Sequence, residues 1–230
     1  MPSLNVICEW LGLSVPPRVP KTPAEKLLIS IRATAKCKFN SSLRLKRNSK
    51  FSFFTTTILS LGLILIPLLQ NSSVKLHLTA QVLNMMQIFL AVSVLVYSIV
   101  MAKAGLDVRA EQLNECGDRL KDLARKLDRE IAHNGQNIAQ VLENYNERYS
   151  DITTDTEGHS RLDYLFAKLD MPNDYPIRGL RWIWFHLLTY LGILVELLLP
   201  AAMIGLEILF ISDMLGISQL LPASFHAINC

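Results

Sequence analysis

Two carboxylates, Glu196 and Glu207, interrupt the run GILVELLLPAAMIGLEILF, which is otherwise almost wholly apolar. A charged side chain at a bilayer centre costs roughly 2.5–3.5 kcal/mol on insertion scales. Eleven residues turn a helix by about 1100°, roughly 20° beyond three full turns, so both carboxylates fall on one face about 16 Å apart. Pro200 and Met203 lie near the same face. Such a carboxylate has three fates. It takes up a proton, it pairs with a polar neighbour, or it faces water, where a ring of carboxylates from several subunits favours cations. Counted from Trp182 at the inner surface, Glu196 falls near mid-membrane and Glu207 near the outer face, where it can snorkel to headgroups. Glu196 has no such outlet. The apolar runs hold no Lys or Arg to pair with it, which leaves Thr, Ser, Tyr97 or Tyr190.

Other polar groups stand in the apolar runs at helical spacing. Thr56 and Ser60 are i, i+4, with Thr55 and Thr57 beside them, and Ser93 and Tyr97 repeat that spacing. They either line a pore or bond back to the helix and hold neighbouring helices together. Catalytic patterns are missing. There is no Gly-rich phosphate loop, no GxSxG and no HExxH. The cysteines (Cys8, Cys37, Cys116, Cys230) form no CxxC, and the five histidines are scattered. That is neither a disulfide framework nor a zinc site. The chain is therefore expected not to be an enzyme, with no catalytic, cofactor-binding or metal-binding residue. Between residues 102 and 181, twelve Lys/Arg face fifteen Asp/Glu, so direct nucleic-acid binding is not expected.

These groups must be positioned by long helices. Half of the 230 residues are hydrophobic, and they cluster in three blocks. Each block reaches about the 20 residues a helix needs to cross a bilayer. The expected fold is an all-α integral membrane protein. A transmembrane helical hairpin continues into a long cytoplasmic amphipathic helix, and a third transmembrane helix follows near the C-terminus. The expected divisions are a Pro-rich, disordered segment (1–23), a domain over 24–170, and a last part over 171–230. The domain comprises a basic lead-in helix (24–50), spans at 51–69 and 82–102, and cytoplasmic helices over 103–170. The last part carries a span at about 182–211 and a short outer tail. Pro23 suits the first turn of the lead-in helix.

Charge sets the expected orientation. Residues 1–50 hold ten Lys/Arg against Glu9 and Glu25, the loop after the first span holds Lys75 alone, and the stretch after Ile211 holds neither Lys nor Arg. The positive-inside rule then puts the N-terminus and the middle of the chain in the cytoplasm and the C-terminus outside the inner membrane. The basic lead-in either anchors at anionic headgroups or packs on the cytoplasmic helices.

Leu106, Leu113, Leu120 and Leu127 recur every seven residues, widened by Ala110, Leu123, Ala124 and Ile131. That seam reads as one side of a helix expected to continue the second span without a break, about 75 Å from Val82 to His133. It meets either other helices of its own chain or another subunit. A second amphipathic helix carries Ile138, Val141, Leu142 and Tyr145, and SRLDYLFAKLD reads as a third.

Several stretches resemble the SLATT domain family. IRATAKCKFNSSLRLKRNSKFSFFTTTILSLGLILI resembles the family's lead-in and first span, and YSIVMAKAGLDVRAEQLNECGDRLKDL its helix after the second. ENYNERYSD and HSRLDYLFAK resemble its later helices. The telling positions are Arg32, Asn40, Leu43 and Arg47, then Arg109, Ala110, Leu113, Cys116 and Leu120, then Tyr145, Asp163, Tyr164 and Phe166. The resemblance covers roughly residues 25–170. It implies a bacterial two-transmembrane effector of anti-phage conflict systems that damages the inner membrane when an upstream sensor fires. It also implies a sensor encoded nearby, either a nucleotide-generating enzyme or, in the branch this sequence resembles, a reverse transcriptase. A nucleotide or nucleic-acid-derived trigger would fit, while no cofactor is implied. Two functions follow as expectations. One is a homo-oligomer in the lipid bilayer that permeabilises or depolarises it. The other is a non-pore membrane adaptor that recruits a cytosolic partner through its long helix.

Overall fold

The computed structural model describes residues 21–72, 74–133, 138–177, 179–222 and 225, with the side chains of 138–140 outside that description. The expectation of a disordered segment over 1–23 falls almost wholly outside these residues, as does the Ile138 side chain. The described residues form six α-helices and no sheet. They are α1 (Pro23–Gln70), α2 (Ala80–Ala104), α3 (Leu106–His133), α4 (Ile138–Thr154), α5 (Arg161–Leu169) and α6 (Leu180–Met214).

The basic lead-in and the first span are one helix of 48 residues. Pro23 opens it, where its missing N–H costs nothing. Thr22 N–H donates to Glu25 Oε2 (2.7 Å) and Glu25 N–H donates to Thr22 Oγ1 (3.3 Å), a reciprocal cap. The unbroken helix expected from Val82 to His133 is corrected. Gly105 closes α2 with φ of +54°, a left-handed conformation that ends a helix and favours glycine, and α3 starts at the next residue.

The chain divides into two compact units. The first comprises residues up to Lys46 and Asp107–Leu194, and the second Arg47–Leu106 with residues from Val195 on. In the first unit, Leu28, Ile31 and Ala35 of α1 pack against Leu120, Leu123 and Leu127 of α3. Leu113, Leu120 and Leu127 are fully buried, so the seven-residue seam is covered by the chain's own helices. Burying each such leucine contributes about 1.5–3 kcal/mol. Tyr145, Tyr149 and Ile152 of α4 close the cluster, and the hydroxyls of Tyr149 and Thr34 lie 2.7 Å apart. Of the two readings of the basic segment, packing on these helices is the one observed.

The second unit packs Leu59 and Ile66 of α1, Leu83 and Leu90 of α2, and Phe210 and Met214 of α6 into one cluster. Its outward faces are apolar and exposed: Phe53, Ile64 and Leu68 on α1, Ile88, Phe89 and Val92 on α2, Leu198, Leu199 and Leu206 on α6. Water does not tolerate so continuous an apolar surface, whereas lipid solvates it. Three helical stretches are long and apolar enough to cross a membrane. The chain is a multi-pass membrane protein.

Candidate intramembrane polar site

The two carboxylates of α6 have opposite surroundings to those expected. Glu196 accepts a hydrogen bond from Asn48 Nδ2 at 3.0 Å, and Arg47 Nη2 lies 3.9 Å from the same oxygen. The apolar runs hold no cation, and the one beside Glu196 comes from just before the first of them. Arg47 and Asn48 stand at the foot of α1's apolar stretch, just before Phe51. Leu180–Leu194 belong to the first unit, where Gly192 sits against Leu162 of α5. The apolar run therefore enters the second unit only at Val195.

Glu207 is the isolated one. Its side chain is 2% exposed, and neither carboxylate oxygen has a hydrogen-bond partner. It lies over Gly62 of α1, so closely that a Cβ there would overlap the carboxylate. Snorkelling to the surface is thus not what this side chain does. The 11-residue spacing of the two glutamates matches the 15 residues separating Arg47 from Gly62 to within about one turn. Those contacts make α1 and α6 parallel in the second unit.

The smaller polar groups are mostly engaged locally. Thr56 Oγ1 donates to the carbonyls of Ser52 and Phe53, and Ser60 Oγ to that of Thr56. Such bonds satisfy a hydroxyl within its own helix. Tyr97 OH donates to Ser52 Oγ at 3.0 Å, tying α2 to α1, and Ser93 on the same helix is half-buried. At the far end of α6, Asp213 accepts from the backbone N–H of Leu220 and Leu221 and from Ser218 Oγ. Gly216, with φ of +73°, turns the chain there against the ring of His77.

The family positions build the first unit. Asp163 accepts from Ser41 Oγ (2.6 Å), Arg44 Nε (3.2 Å) and Ser160 Oγ (2.7 Å), while its own N–H donates to Ser160 Oγ in a capping box that starts α5. Burial works to raise this carboxyl, but the bonds from Ser41, Arg44 and Ser160 outweigh it and hold it below the ordinary carboxylate range. Asn40 donates to the Asp163 carbonyl, Arg32 pairs with Asp128 across α1 and α3, and Arg109 pairs with Glu157. Leu113 is fully buried, and Cys116 Sγ lies 3.3 Å from Thr156 Oγ1. Burial, with Asp163 nearby, pushes the Cys37 thiol up to about 12.

Three contributors escaped the sequence reading: Asn48, Gly62 and Asp213. Gly62 and Asn48 act across helices and carry no local signal. The capping pattern Ser160-x-x-Asp163 is local and legible. No group of three or more metal-ligating side chains gathers among the described residues.

The model of SMODS and SLOG-associating 2TM effector domain family 5 matches residues 20–211. No curated protein and no solved structure matches the chain.

Proposed function

From the premise that the chain belongs to family 5 of the SMODS and SLOG-associating 2TM effector (SLATT) domains, we propose that it is a triggered membrane effector that oligomerises and depolarises the bacterial inner membrane. The observation that carries this reading is Glu207. A membrane-embedded carboxylate held against Gly62 without a hydrogen bond is costly, and intramembrane ionisable groups mark ion pathways. In the resting protomer both glutamates of α6 face α1. In the active state, on this reading, α6 moves off Gly62 and presents Glu207 to water, where carboxylates from several protomers favour cations. Glu196, held by Asn48 and Arg47, marks the cytoplasmic mouth.

On this reading the N-terminus and the first unit are cytoplasmic and the C-terminus lies outside. The trigger comes from a sensor encoded nearby, a nucleotide-generating enzyme or a reverse transcriptase. It acts by binding the open state more tightly than the closed one.

The test is a membrane-potential dye in bacteria expressing the protein with and without its neighbouring genes. Triggered expression of the wild type should depolarise the cells and arrest growth. Glu207→Gln should abolish or alter the flux with normal membrane insertion, and Glu196→Gln should change its magnitude. A stable potential during a functional response would instead mark a non-pore adaptor that recruits a cytosolic partner.

A further inference from the structure

A cleft of about 670 Å³ opens between α1 and α3 in the first unit, within the roughly 300–1,000 Å³ of small-molecule sites. Two stripes with identical spacing line it. On α1 they are Arg32, Lys36, Phe39 and Leu43, and on α3 Asn114, Asp118, Lys121 and Arg125. Both follow i, i+4, i+7, i+11, which keeps side chains on one helix face. The buried Ala35 and Ala124 also line it, small enough to leave room between the helices.

The cleft has two chemically distinct ends. Arg32 bonds Asp128, the Phe39 ring lies on Gly117, and Ser42 bonds the Ala110 carbonyl, so α1 and α3 run antiparallel. That register sets Arg32 with Arg125 and Lys36 with Lys121 at one end. It sets Phe39 and Leu43 with Asn114 at the other. Three of the four cations meet carboxylates: Arg32–Asp128, Lys36–Asp170 and Arg125–Asp122. All three are pairs of exposed side chains, the weak kind that a phosphate displaces. Lys121 pairs with no carboxylate among the described residues. Leu43 at the other end is 66% exposed, an apolar surface beside a polar groove.

We propose that this cleft binds a nucleotide. The phosphates sit among Arg32, Lys36, Lys121 and Arg125, as guanidinium and ammonium groups recognise them. The base lies against Phe39 and Leu43, with the Asn114 amide on its polar edge. Asp118, between the two ends, accepts from a ribose hydroxyl. An anionic lipid headgroup would use the cations, and a glycerol headgroup could also reach Asp118, but it brings no planar base to Phe39, Leu43 and the Asn114 amide. The consequence of binding, though not binding itself, rests on the effector reading. A ligand that grips α1 and α3 biases α1, which runs as one helix from Arg32 to Gly62.

The experiment is equilibrium binding to the full-length protein in phosphatidylcholine nanodiscs. The probes are adenine and guanine monophosphates, triphosphates and cyclic dinucleotides. At least one should bind saturably, and Lys36→Ala/Lys121→Ala should weaken it at least tenfold. Both substituted side chains are exposed, and an unchanged thermal transition confirms folding. Asp118→Asn should weaken ribonucleotides more than their 2′-deoxy analogues. No saturable binding, or binding that the double variant leaves unchanged, overturns the proposal. Retention of phosphatidylglycerol by the cleft that no nucleotide displaces overturns it too. Binding is read without ion flux, so a failure of the pore reading shows separately in the dye assay.

Discussion

Glu207 of α6 rests its carboxylate on Gly62 of α1, with neither oxygen hydrogen-bonded and the side chain 2% exposed. The carboxylate occupies the place a Cβ at 62 would take, so any larger residue there makes the Glu207 side chain or the helices shift. Gly62→Ala should therefore force Glu207 out of its seat or part the helices, destabilising the detergent-solubilised protein by about 1–3 kcal/mol, as overpacking does. In a Glu207→Ala background the same change should cost much less. Thermal unfolding of the four proteins measures this, and equal costs in both backgrounds would remove the contact as the cause.

Asp163 makes stability depend on pH. Its folded pKa is depressed, so its contribution is fully present above the ordinary carboxylate range and is lost as pH falls through the depressed value. Asp163→Asn should cost about 1.5–3 kcal/mol at neutral pH, the worth of hydrogen bonds to a charged group. It should also flatten the acid limb. Chemical unfolding from pH 7 down to pH 3 checks both, and a parallel offset at every pH would contradict the linkage.

The leucine seam is the core of the first unit. Leu120→Ala removes a side chain packed against Leu28 and Ile31 and should cost about 2–5 kcal/mol. Leu43→Ala, at an exposed position, should cost far less. Denaturant midpoints of the two variants give the comparison.

Cys37 should be chemically silent in the folded protein. It is buried, and its thiol, raised to about 12, holds almost no thiolate at pH 8. In a Cys8→Ser/Cys230→Ser background, maleimide should label neither Cys37 nor the buried Cys116 until denaturant is added. Mass spectrometry reads the adducts, and fast labelling at Cys37 without denaturant would show that the core opens readily.

What lies along the chain was legible in the sequence. Apolar blocks of bilayer length gave the spans, the seven-residue leucine repeat gave the buried face of α3, Pro23 gave the start of α1, and the run SRLDYLFAKLD gave α5. Each follows from local geometry, in which spacing alone decides which side chains share a face. Gly105 is the local exception. Its left-handed φ breaks a helix that hydrophobic periodicity carries straight through. What lies across helices was decided only by the tertiary structure. The sequence puts Glu196 and Glu207 on one face of α6 but says nothing of the offset between α6 and α1. Packing α6 so that Glu196 meets Arg47 and Asn48 seats Glu207 on Gly62. The anchored carboxylate and the isolated one thereby exchange the roles that counting from Trp182 had given them, because register between helices is a property of packed surfaces and not of either helix alone.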